Sequence, residues 1–222
     1  MGCVCMKQRQ AFEDPSILAS QTRCMVLKKV TVKEVKSLDE LFRKLSSSIV
    51  DDGFINREEF QLGLFRNNEK RSLLAQRMFD LFDSKHDGVI DFGEFVRSLS
   101  IFHPDTPQEE KAIFAFKIHD IENTSFIQKE GVKKMIAEFL AESSLILSDD
   151  IIEAIIDKTF EEADSERDGK IDIEEWKDFI ARKPSLLENM MTVPYLKDLT
   201  TAFPSFVLRS EKEEETVDQL FN

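Results

Sequence analysis

Cysteine is scarce in this chain: among 222 residues only Cys3, Cys5 and Cys24 carry a thiol. All three lie at the N-terminal end, so none can staple the later core, and no zinc-ligand spacing with histidine occurs. Tyrosine and tryptophan appear once each against 19 phenylalanines, so the core is expected to consist of unsubstituted aromatic rings packed between amphipathic helices. No apolar run approaches the roughly 20 residues of a membrane-spanning helix, and the N-terminus has no secretory hydrophobic region, which points to the cytosol. Positive charge is also short. Lys and Arg number 30 against 43 Asp and Glu, a net charge of −13, which opposes nonspecific binding to nucleic acid or an anionic lipid surface and makes cations the natural counter-ions. No Ser/His/Asp, Cys/His or phosphate-cradling arrangement is present, and His86, His103 and His119 are scattered, so an enzyme is not expected and each histidine reads as structural.

What is present is a folded composition, 41% hydrophobic and 33% charged, long enough for one large domain or two small lobes. Gly-x-Ile occurs as Gly53-Phe54-Ile55, Gly88-Val89-Ile90 and Gly169-Lys170-Ile171, with Ser125-Phe126-Ile127 as a fourth copy. Phe79, Phe116 and Phe160 each stand four residues before Asp83, Asp120 and Asp164, which begin polar loops. Phe60, Phe95, Val132 and Trp176 follow the loops as further apolar anchors. The pattern is that of the EF-hand, a twelve-residue loop with oxygen ligands at positions 1, 3, 5, 7 and 9 and a two-oxygen glutamate at 12. Glycine at 6 permits the turn, and isoleucine at 8 can bridge to the paired loop while its side chain enters the core. The expected fold is all-α, with four EF-hand helix-loop-helix units in two paired lobes and short β-bridges between loops.

The loops differ in their ligands. The fourth, with Asp164, Glu166, Asp168, Lys170 (through its carbonyl), Asp172 and Glu175, is the best Ca²⁺ site, although Glu166 is longer than the usual Asp or Asn at position 3. The second keeps Asp83, Asp87, Val89 (carbonyl), Asp91 and Glu94 but has Lys85 at position 3, which removes an oxygen and adds a positive charge; it can bind calcium or fold empty beside its neighbour. The first ends normally, with Asp52, Gly53, Ile55, Asn56 and Glu59, but lacks an acidic start. Read as two residues longer, Ser46 to Glu59, it offers Ser46, Ile49, Asp51, Phe54 and Glu59 as ligand positions, backbone carbonyls replacing missing side chains. The third, Asp120 to Gly131, has Thr124, Ser125 and Gln128 in place of stronger residues, and Gly131 in place of the glutamate. It is expected to hold no calcium and to serve as partner for loop four, since swinging Glu130 into position would cost the helix its first turn.

The chain resembles the plant calcineurin B-like calcium sensors over nearly its whole length. The resemblance rests on Met1-Gly2-Cys3, Leu18-Ala19-Ser20, the lengthened first loop, and Val89-Ile90-Asp91-Phe92-Gly93-Glu94-Phe95-Val96. It rests also on Phe102-His103-Pro104, Lys158-Thr159-Phe160-Glu161-Glu162-Ala163-Asp164 and Phe203-Pro204-Ser205-Phe206. It implies a calcium sensor whose two lobes form a crevice for a helical regulatory segment of a serine/threonine protein kinase. It also implies that the bound kinase phosphorylates Ser205 and that the C-terminal segment can lie over the crevice. Residues 193–206 carry Pro194, Tyr195, Leu196, Leu199, Phe203 and Phe206, which suit either such a cover or ordinary packing under the second lobe. Ser125 and Gly131 make the third loop poorer than the family's pattern, and Cys24 to Lys29 read as an insertion.

The organisation expected is residues 1–30 for targeting, 31–103 and 104–183 for the two EF-hand lobes, and 184–222 for the C-terminal segment and acidic tail. Gly2 with Cys3 and Cys5 matches dual acylation, myristate on glycine and palmitate on cysteine, although Met6 replaces the usual Ser or Thr. One acyl chain binds a membrane marginally and two hold it, which implies the cytoplasmic face of the plasma membrane with a cytosolic pool. Only seven methionines occur, so the groove should be lined by Phe, Leu and Ile and favour a narrow set of partners. Rival readings are a regulatory partner of a phosphatase similar to calcineurin B, a calcium buffer, and a calcium-independent membrane adaptor. A second copy of the chain is a further candidate partner.

Overall fold

A computed structural model describes residues 32–65, 72–102, 106–143 and 146–191. The described chain is helical, with α1 Val32–Ser46, α2 Arg57–Phe65, α3 Leu73–Phe82, α4 Phe92–Leu99, a 3₁₀ turn Ser100–Phe102, and α5 Gln108–His119. Strand β1 Ile127–Gln128, α6 Lys129–Ser143, α7 Asp149–Ala163, β2 Lys170–Ile171, α8 Ile173–Arg182 and α9 Pro184–Met191 follow. Each loop between an incoming and an outgoing helix pairs with one other loop. Ile55 and Ile90 exchange backbone hydrogen bonds of 3.0 and 2.9 Å, and β1 pairs antiparallel with β2, Ile127 opposite Ile171. All four isoleucines are buried. A backbone bridge and an apolar anchor therefore come from the same residue, as the Gly-x-Ile repeat requires.

The repeated phenylalanine does a second job besides filling the core. The amides of Asp83, Asp120 and Asp164 donate to the carbonyls of Phe79, Phe116 and Phe160 at 2.8, 2.9 and 2.8 Å, so the helix's last backbone bond closes on the first loop aspartate. Outgoing helices begin with equally local signals: Asp91 and Asp172 cap α4 and α8, each accepting from the glutamate amide three residues on. Such caps contribute about 1 kcal/mol each.

Two buried clusters result. The first is aromatic: Phe42 meets Phe92 edge-on at 5.3 Å, and Phe60 packs against Phe79 and Phe82 at 5.6 and 5.1 Å. The second gathers Phe116, Ile152, Ile156, Phe160, Trp176 and Phe179. Trp176 is held by its indole N–H, which donates to the Ala112 carbonyl at 2.8 Å, and lies 5.6 Å from the His119 ring. Burial pushes His119 below the ordinary histidine range, opposed in part by the Ala115 carbonyl. Helix α9 joins this cluster through Leu187. Core membership crosses the sequence division at 103/104: Phe114 and Ile118 of α5 belong to the first cluster, with Met135 of α6 packed against it.

Helices α1 and α2 approach each other closely at Gly63. A methyl group there would overlap the Leu45 Cδ2 atom, and because Leu45 is buried its terminal methyls would have to repack within the core. Gly63→Ala gains helix propensity yet is expected to lower stability by about 1–3 kcal/mol, read as a lower urea midpoint at unchanged helical circular dichroism. A stabilised variant, the result propensity alone would give, would contradict this packing.

Candidate metal centres

Loops two, three and four share one backbone frame, and loop one shares its position-6 turn. Position 4 is left-handed at His86, Asn123 and Arg167 (φ 56, 54 and 59°), and position 6 is left-handed at Gly53, Gly88 and Gly169. Ser125 takes the glycine conformation at φ 68°, at a cost on the order of 1 kcal/mol for a side chain with a Cβ. The third loop thus keeps the turn although it has lost the glycine.

Inside that frame two carboxylates do most of the positioning. At position 1, Asp164 accepts the amides of Asp168 (3.1 Å) and Gly169 (2.8 Å), and Asp83 accepts those of Asp87 and Gly88 in the same way. Asp120 repeats this with Thr124 and Ser125, both at 2.9 Å. At position 12, Glu175 reaches back across loop four. One oxygen accepts from the Glu166 amide (3.0 Å) and the Ser165 hydroxyl (3.1 Å), the other from the Asp172 amide (3.0 Å). Glu94 makes the same contacts with Lys85, Ser84 and Asp91, and Glu59 with the amides of Ile49, Val50 and Asn56. The glutamate and the position-9 residue therefore form a reciprocal capping box on the outgoing helix.

This arrangement fits calcium. The glutamate is buried and aimed at the loop interior, with its two oxygens held by neutral amide donors that a hard cation can replace. Among the described residues no three His, Cys, Asp or Glu side chains converge; like charges hold amides and keep apart, and Asp168 and Glu166 lie exposed at the loop rim. Coordination would draw them inward against Glu175. Lys170, at position 7, sets its ammonium 3.5 Å from Asp168 and 4.0 Å from the Phe126 ring of the partner loop.

Loop two carries its own cation. The Lys85 ammonium forms an ion pair with Asp91 and lies 3.9 Å from Glu94, bridging positions 9 and 12 from position 3. Its hydrogen bond to Asp91 raises the lysine further despite desolvation. Burial of Asp91 favours its neutral form, but the Lys85 contact and the Glu94 amide outweigh it and hold the carboxyl below the usual range. Val89 donates its amide to Asp87.

Loop one has no position-1 acid. Ser46 ends α1, and the hydroxyls of Ser46, Ser47 and Ser48 turn back to the Arg43 and Leu45 carbonyls. Its hydrogen-bond register follows the loop's normal ending, which carries Asp52. Asp52 accepts the Phe54 amide at 3.0 Å, as Asp87 and Asp168 accept theirs from Val89 and Lys170, so Asp52 stands at position 5, one residue after the exposed Asp51. In loop three the missing glutamate is a matter of chemistry and not of room: a Cβ at Gly131 would meet only Ile121, at 3.8 Å. Gly2, Cys3, Cys5 and Ser205, with residues 23–30 and 193–206, lie outside the described residues.

Comparison with known proteins agrees with this geometry. A family model described as EF hand matches residues 74–100 and 155–180. The chain is 50% identical over 209 residues, 93% of its length and all of the relative's, to calcineurin B-like protein 5 of Arabidopsis thaliana. It is 33% identical over 163 residues to calcineurin B of Naegleria gruberi, covering 73% of this chain and 86% of that one. It is 35% identical over 149 residues to calcineurin B of Schizosaccharomyces pombe, covering 67% and 81%.

Replacing the tethered ammonium by an oxygen ligand should open loop two. Lys85→Asp is expected to add one calcium site in calorimetric titration, whereas Lys85→Met, which removes the charge without supplying an oxygen, should not. Equal stoichiometry in wild type and Lys85→Asp would show that the lysine is not what governs binding there.

Proposed function

This chain belongs to the calcineurin B-like family of EF-hand calcium sensors, and from that premise we propose that it is a non-catalytic sensor that converts calcium binding into engagement of a serine/threonine protein kinase. The observation that carries the reading is the fourth loop, where the carboxylates at positions 1 and 12 are already placed and acidic residues occupy 3, 5 and 9. A calcium ion held by the Glu175 carboxylate would take the place of the Asp172 and Glu166 amides that its oxygens accept and would reorient α8 against α7, the helix-pair opening by which sensor hands signal. Loop one, through Glu59 and Asp52, is the second candidate site.

An amphipathic kinase helix needs an apolar face to lie on. Phe139 of α6 and Ile151 and Ile155 of α7 are about half exposed (53, 49 and 49%), on adjoining helices of the calcium-responsive half. Such surface supports helix docking and opposes a pure buffer. We further propose, in line with the family resemblance, Ser205 as a site for the bound kinase, and Gly2 with Cys3 and Cys5 as acylation sites that would hold the protein on the cytoplasmic face of the plasma membrane beside a cytosolic pool. A phosphatase regulatory role is the second reading, favoured by the identity to the calcineurin B proteins.

Calorimetry decides between these. Wild type should bind calcium and then a peptide of the kinase regulatory segment, while Glu175→Gln should lose one site and weaken the peptide about tenfold or more, roughly 1.4 kcal/mol. Equal peptide affinity in calcium and in chelator would make the chain a calcium-independent adaptor, and preferential binding of a helix from a phosphatase catalytic chain would support the second reading. For targeting, Gly2→Ala should move the protein from the membrane to the soluble fraction, with Cys3→Ser and Cys5→Ser together causing partial release. Undisturbed membrane association of Gly2→Ala would remove the acylation reading.

A further inference from the structure

Helix α3 carries Arg77 in the middle of an apolar face formed by Ala75, Met78, Phe79 and Phe82. The arginine is only 6% exposed, and its fork does not turn back to its own half. Nη2 donates to the carbonyls of Lys117 and Asp120, both at 2.7 Å, and Nη1 and Nη2 each donate to Asn123 Oδ1 at 3.2 Å. Nε finds no partner among the described residues. A charge-bearing side chain that is buried and incompletely satisfied is costly unless its contacts are individually strong, and these are. The carbonyls belong to the C-terminal end of α5, where helix oxygens lack intrahelical donors and carry partial negative charge. A second tie runs beside it: Leu73, at the start of α3, donates its amide to Glu138 of α6 at 3.2 Å.

The residues Arg77 grips begin the third loop, and that loop is the one without a calcium-binding glutamate. It remains joined to loop four in two ways. Strand β1 pairs with β2, and Glu175, which calcium would displace, directly precedes Trp176, whose indole holds Ala112 of α5. Movement of Glu175 thus reaches α5 and the third loop, and Arg77 carries a charged contact from there to α3, which leads directly into loop two and, through the Ile55–Ile90 bridge, to loop one.

We propose that Arg77 couples the two halves: a protein-borne cation that fixes the third loop to α3 and passes the calcium state of loop four into the first pair of hands. The role is positioning, and it rests on the reading of loop four as a calcium site. Coupling of this kind is a free energy shared by both sites and therefore reciprocal, ordinarily worth about fivefold or more in affinity. Arginine suits it because a rigid planar fork reaches three separated acceptors from two nitrogens in one fixed geometry, whereas lysine presents its donors from a single point.

The test uses the full chain carrying Glu59→Gln and Glu94→Gln, so that a calcium effect on α3 arises from loop four. Hydrogen exchange is followed at residues 73–82 and 164–175 with and without calcium. Calcium should slow exchange at both segments. Adding Asn123→Gly, which keeps the left-handed backbone and removes one acceptor at an exposed residue, or Arg77→Lys, should reduce the calcium-dependent slowing at 73–82 by about fivefold or more while leaving that at 164–175 intact. Circular dichroism identifies a variant that has merely lost its fold; Asn123→Gly carries the result if Arg77→Lys does so. Undiminished slowing at 73–82 in Asn123→Gly, or no response there while 164–175 responds, overturns the coupling. Absence of any calcium response at 164–175 has a different signature: it removes the loop-four reading, and the coupling with it.

Discussion

The backbone bridge between position-8 isoleucines is the contact on which the rest of this structure depends. An isolated EF-hand loop would expose that residue's amide and carbonyl and leave its side chain without a core. Pairing two loops satisfies both at once, because Ile55 and Ile90 trade hydrogen bonds while burying their side chains, as Ile127 and Ile171 do in the second pair. A loop that has lost its ligands is therefore still needed for the bridge. The third loop retains its turn, its position-1 clamp and its buried isoleucine although Ser125 must take a left-handed conformation and Gly131 offers no carboxylate.

The same economy sets how the loops differ as calcium sites. In each of the three loops with a terminal glutamate, that residue caps its outgoing helix through the position-9 residue. A cation must displace a working set of hydrogen bonds, so affinity is a difference between coordination and capping. In loop two the competition is heavier because Lys85 already neutralises Asp91 and approaches Glu94. Graded loops of this kind can divide labour, with one site responsive and the others holding geometry.

Much of this was readable in the residues themselves. Gly-x-Ile and the phenylalanine four residues ahead of each aspartate are local signals with local causes, a left-handed turn, a bridge and a helix-ending hydrogen bond, and each appears where the spacing puts it. The first loop shows where spacing runs out. Counting back from Gly53 and Glu59 puts Asp52 at position 5, as the amide contact does, whereas counting from Ser46 points to Asp51, so spacing alone leaves two registers open and hydrogen bonding distinguishes them. Arg77 was not legible at all. Its only trace is a charge interrupting the apolar face of α3, and two of the oxygens it grips, 40 and 43 residues away, are backbone carbonyls, which every residue has. Assignment of Phe114 and Ile118 to the first core was hidden for a similar reason: helical periodicity says which face is buried and not against what.

Trp176 gives the molecule an uneven optical character. It is the chain's one tryptophan, it sits next to the glutamate that calcium would move, and its indole is fixed between the Ala112 carbonyl and the His119 ring. Its emission would report the polarity and histidine contact of that one buried corner, one residue from loop four. Loops one and two lie outside its direct view. Tryptophan fluorescence of this protein is thus a local gauge and not a global one: a silent spectrum would speak for the second pair of hands alone, and a changing one would time their rearrangement without a label.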